Sequence, residues 1–196
     1  MKQVLATRNL GKVRELTEML DDCRGIEVLS LADFPDTPEV VEDGETYVEN
    51  AIKKATQISE YTGLPTLADD SGLEVDALDG APGIHSARYA GEGASDAERV
   101  QKLLEALKDV SEPQRTARFQ CTVAIVEPGE KSRVAVGVCE GQIIREPRGT
   151  HGFGYDPVFM PSGYDQTFAE LGDEVKNQIS HRAKAFAMVK KLLSDG

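Results

Sequence analysis

Apolar residues recur along this chain with two periods, and the changes between them mark its elements. Gln3 to Ala6 reads as a short strand. From Lys12 to Leu20, residues Val13, Leu16 and Leu20 fall three and four apart, which sets them on one helix face. Glu27 to Leu29 reads as a second short strand, and the Pro-rich segment Phe34 to Pro38 as a loop. Between about Glu45 and Tyr61, an apolar stripe of Val48, Ala51, Ile52, Ala55 and Ile58 predicts a long helix, which Gly63 and Pro65 end. Leu64 to Ala68 is the next strand, and its apolar run stops at Asp69-Asp70. Leu73 to Val75 is a further short strand.

Ser95 followed three residues later by Glu98 is a capping-box start for a helix reaching about Leu107. After Pro113, residues Ala117, Phe119, Cys121, Val123 and Ile125 alternate with polar ones. Pro128-Gly129 makes a turn, and Val134, Val136 and Val138 continue the alternation, so this region predicts a hairpin. Gly80 to Gly93 and Gly149 to Asp156 are Gly-rich and read as functional loops. A last helix is expected from about Asp173 to Leu193, with Val175, Ile179, Phe186 and Val189 inward. Strands and helices alternate with a hairpin inserted, which predicts an α/β fold with a mixed sheet. No linker or repeat divides residues 1–196, which read as one domain.

Composition narrows the function. A hydrophobic content of 40% is that of a globular chain. No apolar run approaches the ~20 residues a bilayer span needs. The opening MKQVLATRN lacks the apolar core of a secretory signal, so a cytoplasmic location is expected, with no membrane partner. The cysteines Cys23, Cys121 and Cys139 are odd in number and form no CxxC pair, which argues against a disulfide framework or a zinc site. All three are expected to be reduced, with Cys121 and Cys139 in core strands. Acids outnumber bases 34 to 22, and a net charge of −12 disfavours a nucleic acid polymer as partner. It leaves room for a small anion in a local basic pocket, or for a divalent cation bridging acid to phosphate.

Candidate chemistry gathers at four places. Thr7-Arg8-Asn9-Leu10-Gly11-Lys12 stands at a strand-to-helix junction, where backbone amides and a lysine suit an anion. It is not a P-loop, and an ordinary turn with a solvated lysine fits the same residues. Glu42 precedes the long helix, on which Asn50 and Lys54 share a face. Asp69 and Asp70 either begin a turn in water or, with Glu42, make a hard oxygen site for Mg²⁺. The position matters, because ligands of open α/β sheets gather at strand C-termini. Finally, Phe153-Gly154-Tyr155-Asp156 offers rings beside glycines where a base stacks, and Lys176, His181 and Arg182 lie further on. Core packing of the rings and a structural histidine are the plainer alternatives.

Taken in order, TRNLGK, ENA at 49–51, ADDSG at 68–72, GAPGIHSARYAG at 80–91, GFGYDP at 152–157 and SHR at 180–182 span essentially the whole chain. Together they closely resemble the inosine triphosphate pyrophosphatase family. That resemblance implies a long mixed β-sheet flanked by helices, in two lobes with the active-site cleft between them. It implies a homodimer and Mg²⁺-dependent hydrolysis of non-standard purine nucleoside triphosphates (ITP, dITP and XTP) to monophosphate and pyrophosphate. Thr7 to Lys12 match the family's phosphate-binding turn. Glu42 and Asp70 match its metal-binding carboxylates, Asp70 its proton acceptor, and Ser71 a substrate contact; Asp69 is expected to help hold the metal. Phe153 to Asp156, Lys176, His181 and Arg182 match its nucleotide-binding positions, and Lys54 a basic position facing phosphates. Arg8 departs from the small residue usual in the family, and either turns to solvent or adds a phosphate contact. The rival readings are a related pyrophosphatase acting on pyrimidines, a nucleotide sensor without turnover, and a phosphatase releasing orthophosphate.

Overall fold

The computed structural model describes residues 2–21 and 25–194. Cys23, expected to be reduced, lies outside the described residues. The strands are β1 (Lys2–Leu5), β2 (Glu27–Ser30), β3 (Thr66–Val75), β4 (Thr116–Val126), β5 (Arg133–Ile143) and β6 (Phe159–Pro161). They form one six-stranded sheet in the order β2-β1-β3-β4-β5-β6. β1 runs parallel to β2 and β3, and β6 antiparallel to β5, so the expected mixed sheet is present. The helices are α1 (Leu10–Leu20), α2 (Tyr47–Thr62), α3 (Asp96–Ala106), α4 (Phe168–Ile179) and α5 (His181–Ser194). No helix among the described residues is long and apolar enough to cross a membrane.

The chain divides into two compact units. The first holds the chain through Asp70, Cys121–Gly137 and the chain from Arg182 onward; the second holds Ser71–Gln120 and Val138–His181. In the first unit, alternate strand residues serve opposite faces. Leu5, Leu67, Cys121, Val123 and Ile125 pack with Leu16 and Leu20 of α1 and Phe186 and Val189 of α5. Val4, Ala6, Ala68, Ala124 and Val126 pack with Ala51, Ala55 and Ile58 of α2. The second unit has its own core, in which Leu73, Val75, Leu103, Phe119, Phe159 and Phe168 are buried together. The Phe119 and Phe159 rings lie 4.6 Å apart, centroid to centroid.

Helix starts follow local chemistry. Asn9 caps α1 by accepting the Lys12 N–H at 3.1 Å, so that helix opens at Leu10, before Lys12. Ser95 and Glu98 form the expected capping box of α3. Cys121 and Cys139 are buried in β4 and β5, and neither is in a disulfide, as expected.

Four expectations need correction. The strands read at Leu64–Ala68 and Leu73–Val75 are one continuous strand, β3, with the two aspartates inside it. The expected terminal helix is two: Ser180, with φ −68° and ψ 163°, leaves the helical region between α4 and α5. On β5 the buried positions are Ala135, Gly137, Cys139 and Ile143, while Val136 is exposed. A valine run there marks β-propensity, not the inward face. On α2, Val48 is exposed and Asn50 takes a buried place instead.

Candidate active site

Successive residues of a strand point to opposite faces, and this separates the two aspartates. Leu67 faces α1 and α5, so Asp69, two residues on, faces them too. Ala68 faces α2, and so does Asp70. Both carboxylates are buried, at 2% and 7% exposure, which corrects the expectation of an acid pair at a strand end. Charges persist inside a strand only where other groups answer them.

Asp69 is answered by cations. Lys12 Nζ lies 2.7 Å from its Oδ2 and Arg182 Nε lies 3.5 Å from the same oxygen. Burial alone would push the Asp69 carboxyl up, but Lys12, Arg182 and Lys54 outweigh it and hold it well below the usual carboxylate range. Arg182 Nη1 is also 3.2 Å from Oε2 of Glu15, a buried acid of α1. Glu15 was missed by the sequence reading. Its signal was a carboxylate four residues before the core residue Met19, on the packed side of α1.

Asp70 is treated differently. Burial pushes its carboxyl up to about 6, and the neighbouring Glu42 carboxylate adds to the rise. Lys54, Lys12 and a hydrogen bond from Asn50 oppose it. Lys54 Nζ pairs with Glu42 Oε1 at 2.9 Å. Burial would lower the Lys54 ammonium, but Asp69, Glu42 and Asp70 together hold it above its ordinary value. α2 thus brings Asn50 and Lys54, one turn apart, to the acid pair of Glu42 and Asp70.

Among the described residues, no group of three or more His, Cys, Asp or Glu side chains is arranged to hold a metal ion. Asp69 points to the α1 and α5 face, so the expected trio of Glu42, Asp69 and Asp70 is not assembled as such. What remains is the pair Glu42 and Asp70, whose mutual repulsion is the situation a hard divalent cation relieves.

The turn before α1 is braced locally. Thr7 Oγ1 accepts the Asn9 N–H at 3.2 Å, while Leu10 is 82% exposed. Arg8 is exposed, the solvent-facing one of the two alternatives, and its Nη2 donates to the Thr37 carbonyl at 2.7 Å. That contact ties the turn to the loop after β2. Ser71 continues β3 and is half-buried.

In the second unit, residues 152–156 fold around the Asp156 carboxylate. Its Oδ2 accepts the Phe153 N–H at 2.9 Å and pairs with Lys176 Nζ at 2.6 Å. Gly152 has φ 76°, and a Cβ there would stand 2.0 Å from the same oxygen, so only glycine fits. Lys176 is 1% exposed, and its ammonium lies 4.6 Å from the centre of the Phe153 ring. Asp96, at the start of α3, accepts the Gly154 N–H at 2.7 Å. Tyr155 does not offer a ring for stacking: it is buried in the core, and its hydroxyl donates to the Ser86 carbonyl at 2.8 Å. Burial pushes that phenol up. His181 is buried and stacked on Phe119 at 4.7 Å.

With this geometry in hand, comparison with known proteins is informative. The Ham1 family model matches residues 3–192. A dITP/XTP pyrophosphatase of Desulforamulus reducens is 55% identical over 194 residues, covering 99% of this chain and 96% of that one. A dITP/XTP pyrophosphatase of Geobacter sulfurreducens is 54% identical over 187 residues, covering 95% and 94%. The solved structure of a HAM1 protein from Coxiella burnetii superposes with a TM-score of 0.91 at 45% identity, covering all of both chains.

Proposed function

This chain belongs to the Ham1 family, and from that premise we propose that it hydrolyses ITP, dITP and XTP to the nucleoside monophosphate and pyrophosphate. The observation that supports the reading most is Asp70, a buried carboxylate that feels both the Glu42 carboxylate and the Lys54 ammonium. The reaction breaks the bond between the α-phosphorus and the bridging oxygen to the β-phosphate. A water oxygen bonds to the α-phosphorus, and pyrophosphate leaves. Asp70 orients that water and accepts its proton. Lys12 and Lys54 stabilise the phosphate oxygens.

Glu42 and Asp70 are the residues that would hold Mg²⁺, which when bound neutralises phosphate charge and lowers the pKa of water. Asp69, already matched to Lys12 and Arg182, is left out of that pair. Its task in this reading is to fix Lys12 and Arg182 in place. The Thr7–Lys12 turn, Ser71, Phe153, Gly154, Asp156, Lys176, His181 and Arg182 are assigned to nucleotide binding on the strength of the motif match, with Tyr155 packing behind them through its core ring and its backbone left to the same turn. A homodimer and a cytoplasmic location belong to the same reading.

Selectivity in this reading follows from fixed donors, the Arg182 guanidinium and backbone amides. A guanidinium and an amide N–H only donate. A purine carbonyl at position 6 accepts from them, whereas the 6-amino group of adenine sets donor against donor. An unpaired buried donor costs about 1–3 kcal/mol, so ITP should exceed ATP in kcat/KM by about 10- to 100-fold. Steady-state pyrophosphate release with ITP, dITP, XTP, ATP and GTP measures this. Equal rates with ITP and ATP would contradict the carbonyl reading.

A further inference from the structure

Asn50 of α2 is a polar residue at 2% exposure inside a helix, where asparagine is a poor helix former. Burying a carboxamide costs free energy unless both its ends are bonded. Here both are. Its Oδ1 accepts the Gly44 N–H at 2.8 Å, and its side chain bonds to Asp70. With the oxygen on Gly44, the amide nitrogen is the end that donates to the carboxylate. The approach to Gly44 is close: a Cβ there would lie 2.8 Å from Asn50 Oδ1 and 2.9 Å from Glu49 Cβ. One turn further along α2, Lys54 pairs with Glu42 at 2.9 Å. The helix therefore grips the Glu42–Gly44 segment at two points and holds Asp70 from one of them.

We propose that Asn50 is a positioning residue, which fixes the Asp70 carboxylate against the segment carrying Glu42 so that the two acids meet substrate and cation in one geometry. The inference rests on the roles given to Asp70 and Glu42 above. A plain loop anchor would need only the bond to Gly44. A positioning residue needs the bond to Asp70 as well. The two cases separate by substitution. Asn50→Asp keeps an acceptor for Gly44 at the same size and loses the donor to Asp70. Asn50→Ala loses both.

In both variants kcat with ITP should fall about 10- to 100-fold, the usual effect of removing an outer partner of a metal-site ligand, while KM for ITP stays within about threefold. Binding of Mn²⁺ alone, followed by calorimetry without nucleotide, should weaken about tenfold in Asn50→Ala. Asn50→Asp with half or more of the wild-type kcat would reduce Asn50 to a loop anchor and overturn the proposal. The absence of any difference in Mn²⁺ binding between wild type and Asn50→Ala would overturn it equally. Wild-type protein that fails to turn over ITP, yet loses Mn²⁺ affinity on Asn50→Ala, would sink the functional reading and leave the positioning role standing. If Asn50→Ala does not fold, Asn50→Asp carries the kinetic comparison, and Asn50→Ser, which adds no charge, carries the Mn²⁺ comparison.

Discussion

Asp70→Asn is expected to lower ITP turnover by about 10³-fold and, in the same protein without metal, to raise the melting temperature. The first effect is that of removing a general base, which is worth about 10²–10⁴ in rate. The second follows from the environment of the carboxyl. Burial first, and Glu42 second, hold the Asp70 carboxyl at about 6 in the folded chain, against about 3.9 in an unfolded one. A raised folded value means that the ionised form is disfavoured by folding. The favourable contribution of this group is fully present below the unfolded value and is lost as pH rises through about 6. At pH 8 wild type bears that cost, of roughly 1–3 kcal/mol, and the neutral asparagine does not. For a chain of this length each kcal/mol moves the melting temperature by roughly 2–4 °C. Melts at pH 8 and pH 4.5 in chelator should show the variant several degrees higher at pH 8 and the gap shrinking at pH 4.5. A lower melting temperature at pH 8, or near-normal turnover, would remove Asp70 from the role assigned to it.

The neighbouring substitution should act in the opposite sense. Asp69→Asn removes the acid that Lys12 and Arg182 share, and leaves two cations near a neutral amide in a buried place. Breaking a buried pair from one side costs about 3–5 kcal/mol. Here the folded carboxyl lies below its ordinary range, because the cations Lys12, Arg182 and Lys54 outweigh burial. Its stabilising contribution is present above the unfolded value and lost as pH falls toward the depressed folded one. The variant should therefore melt far below wild type at neutral pH, with the gap narrowing in strong acid as wild type loses the same interaction. Chemical denaturation at pH 7 measures the cost. A variant as stable as wild type would mean that the ion cluster does not hold the strand.

That adjacent aspartates should differ in sign was only half legible in the sequence. The chain of motifs identified the pair, and the apolar run leading to it placed it on a strand. What hydropathy could not show is that the strand continues, because Lys12 and Arg182 arrive from distant segments to neutralise Asp69 inside it. Read as a strand end, the two acids and Glu42 looked like one oxygen cluster. Read as two faces of a buried strand, they turn to different nearest partners, Asp69 to Lys12 and Arg182 and Asp70 to Glu42, as the period of two requires. Asn50 shows the same limit. It was visible as sharing a face with Lys54, yet nothing local indicated that the face was buried. Ser180 carries no breaker signal of its own, so one terminal helix was read where α4 and α5 stand. By contrast, the capping box of α3 and the core cysteines rest on short-range chemistry and were legible directly, and the alternation of strand and helix periods carried the mixed sheet.

The central claim is a reaction at the α-phosphorus, and product analysis tests it most directly. The wild-type protein is incubated with ITP and Mg²⁺, with and without a chelator, and the nucleotide and phosphate products are separated. IMP and pyrophosphate are expected in equal amounts, both lost when the chelator is present. IDP with orthophosphate, or bound nucleotide that is never turned over, would contradict that claim.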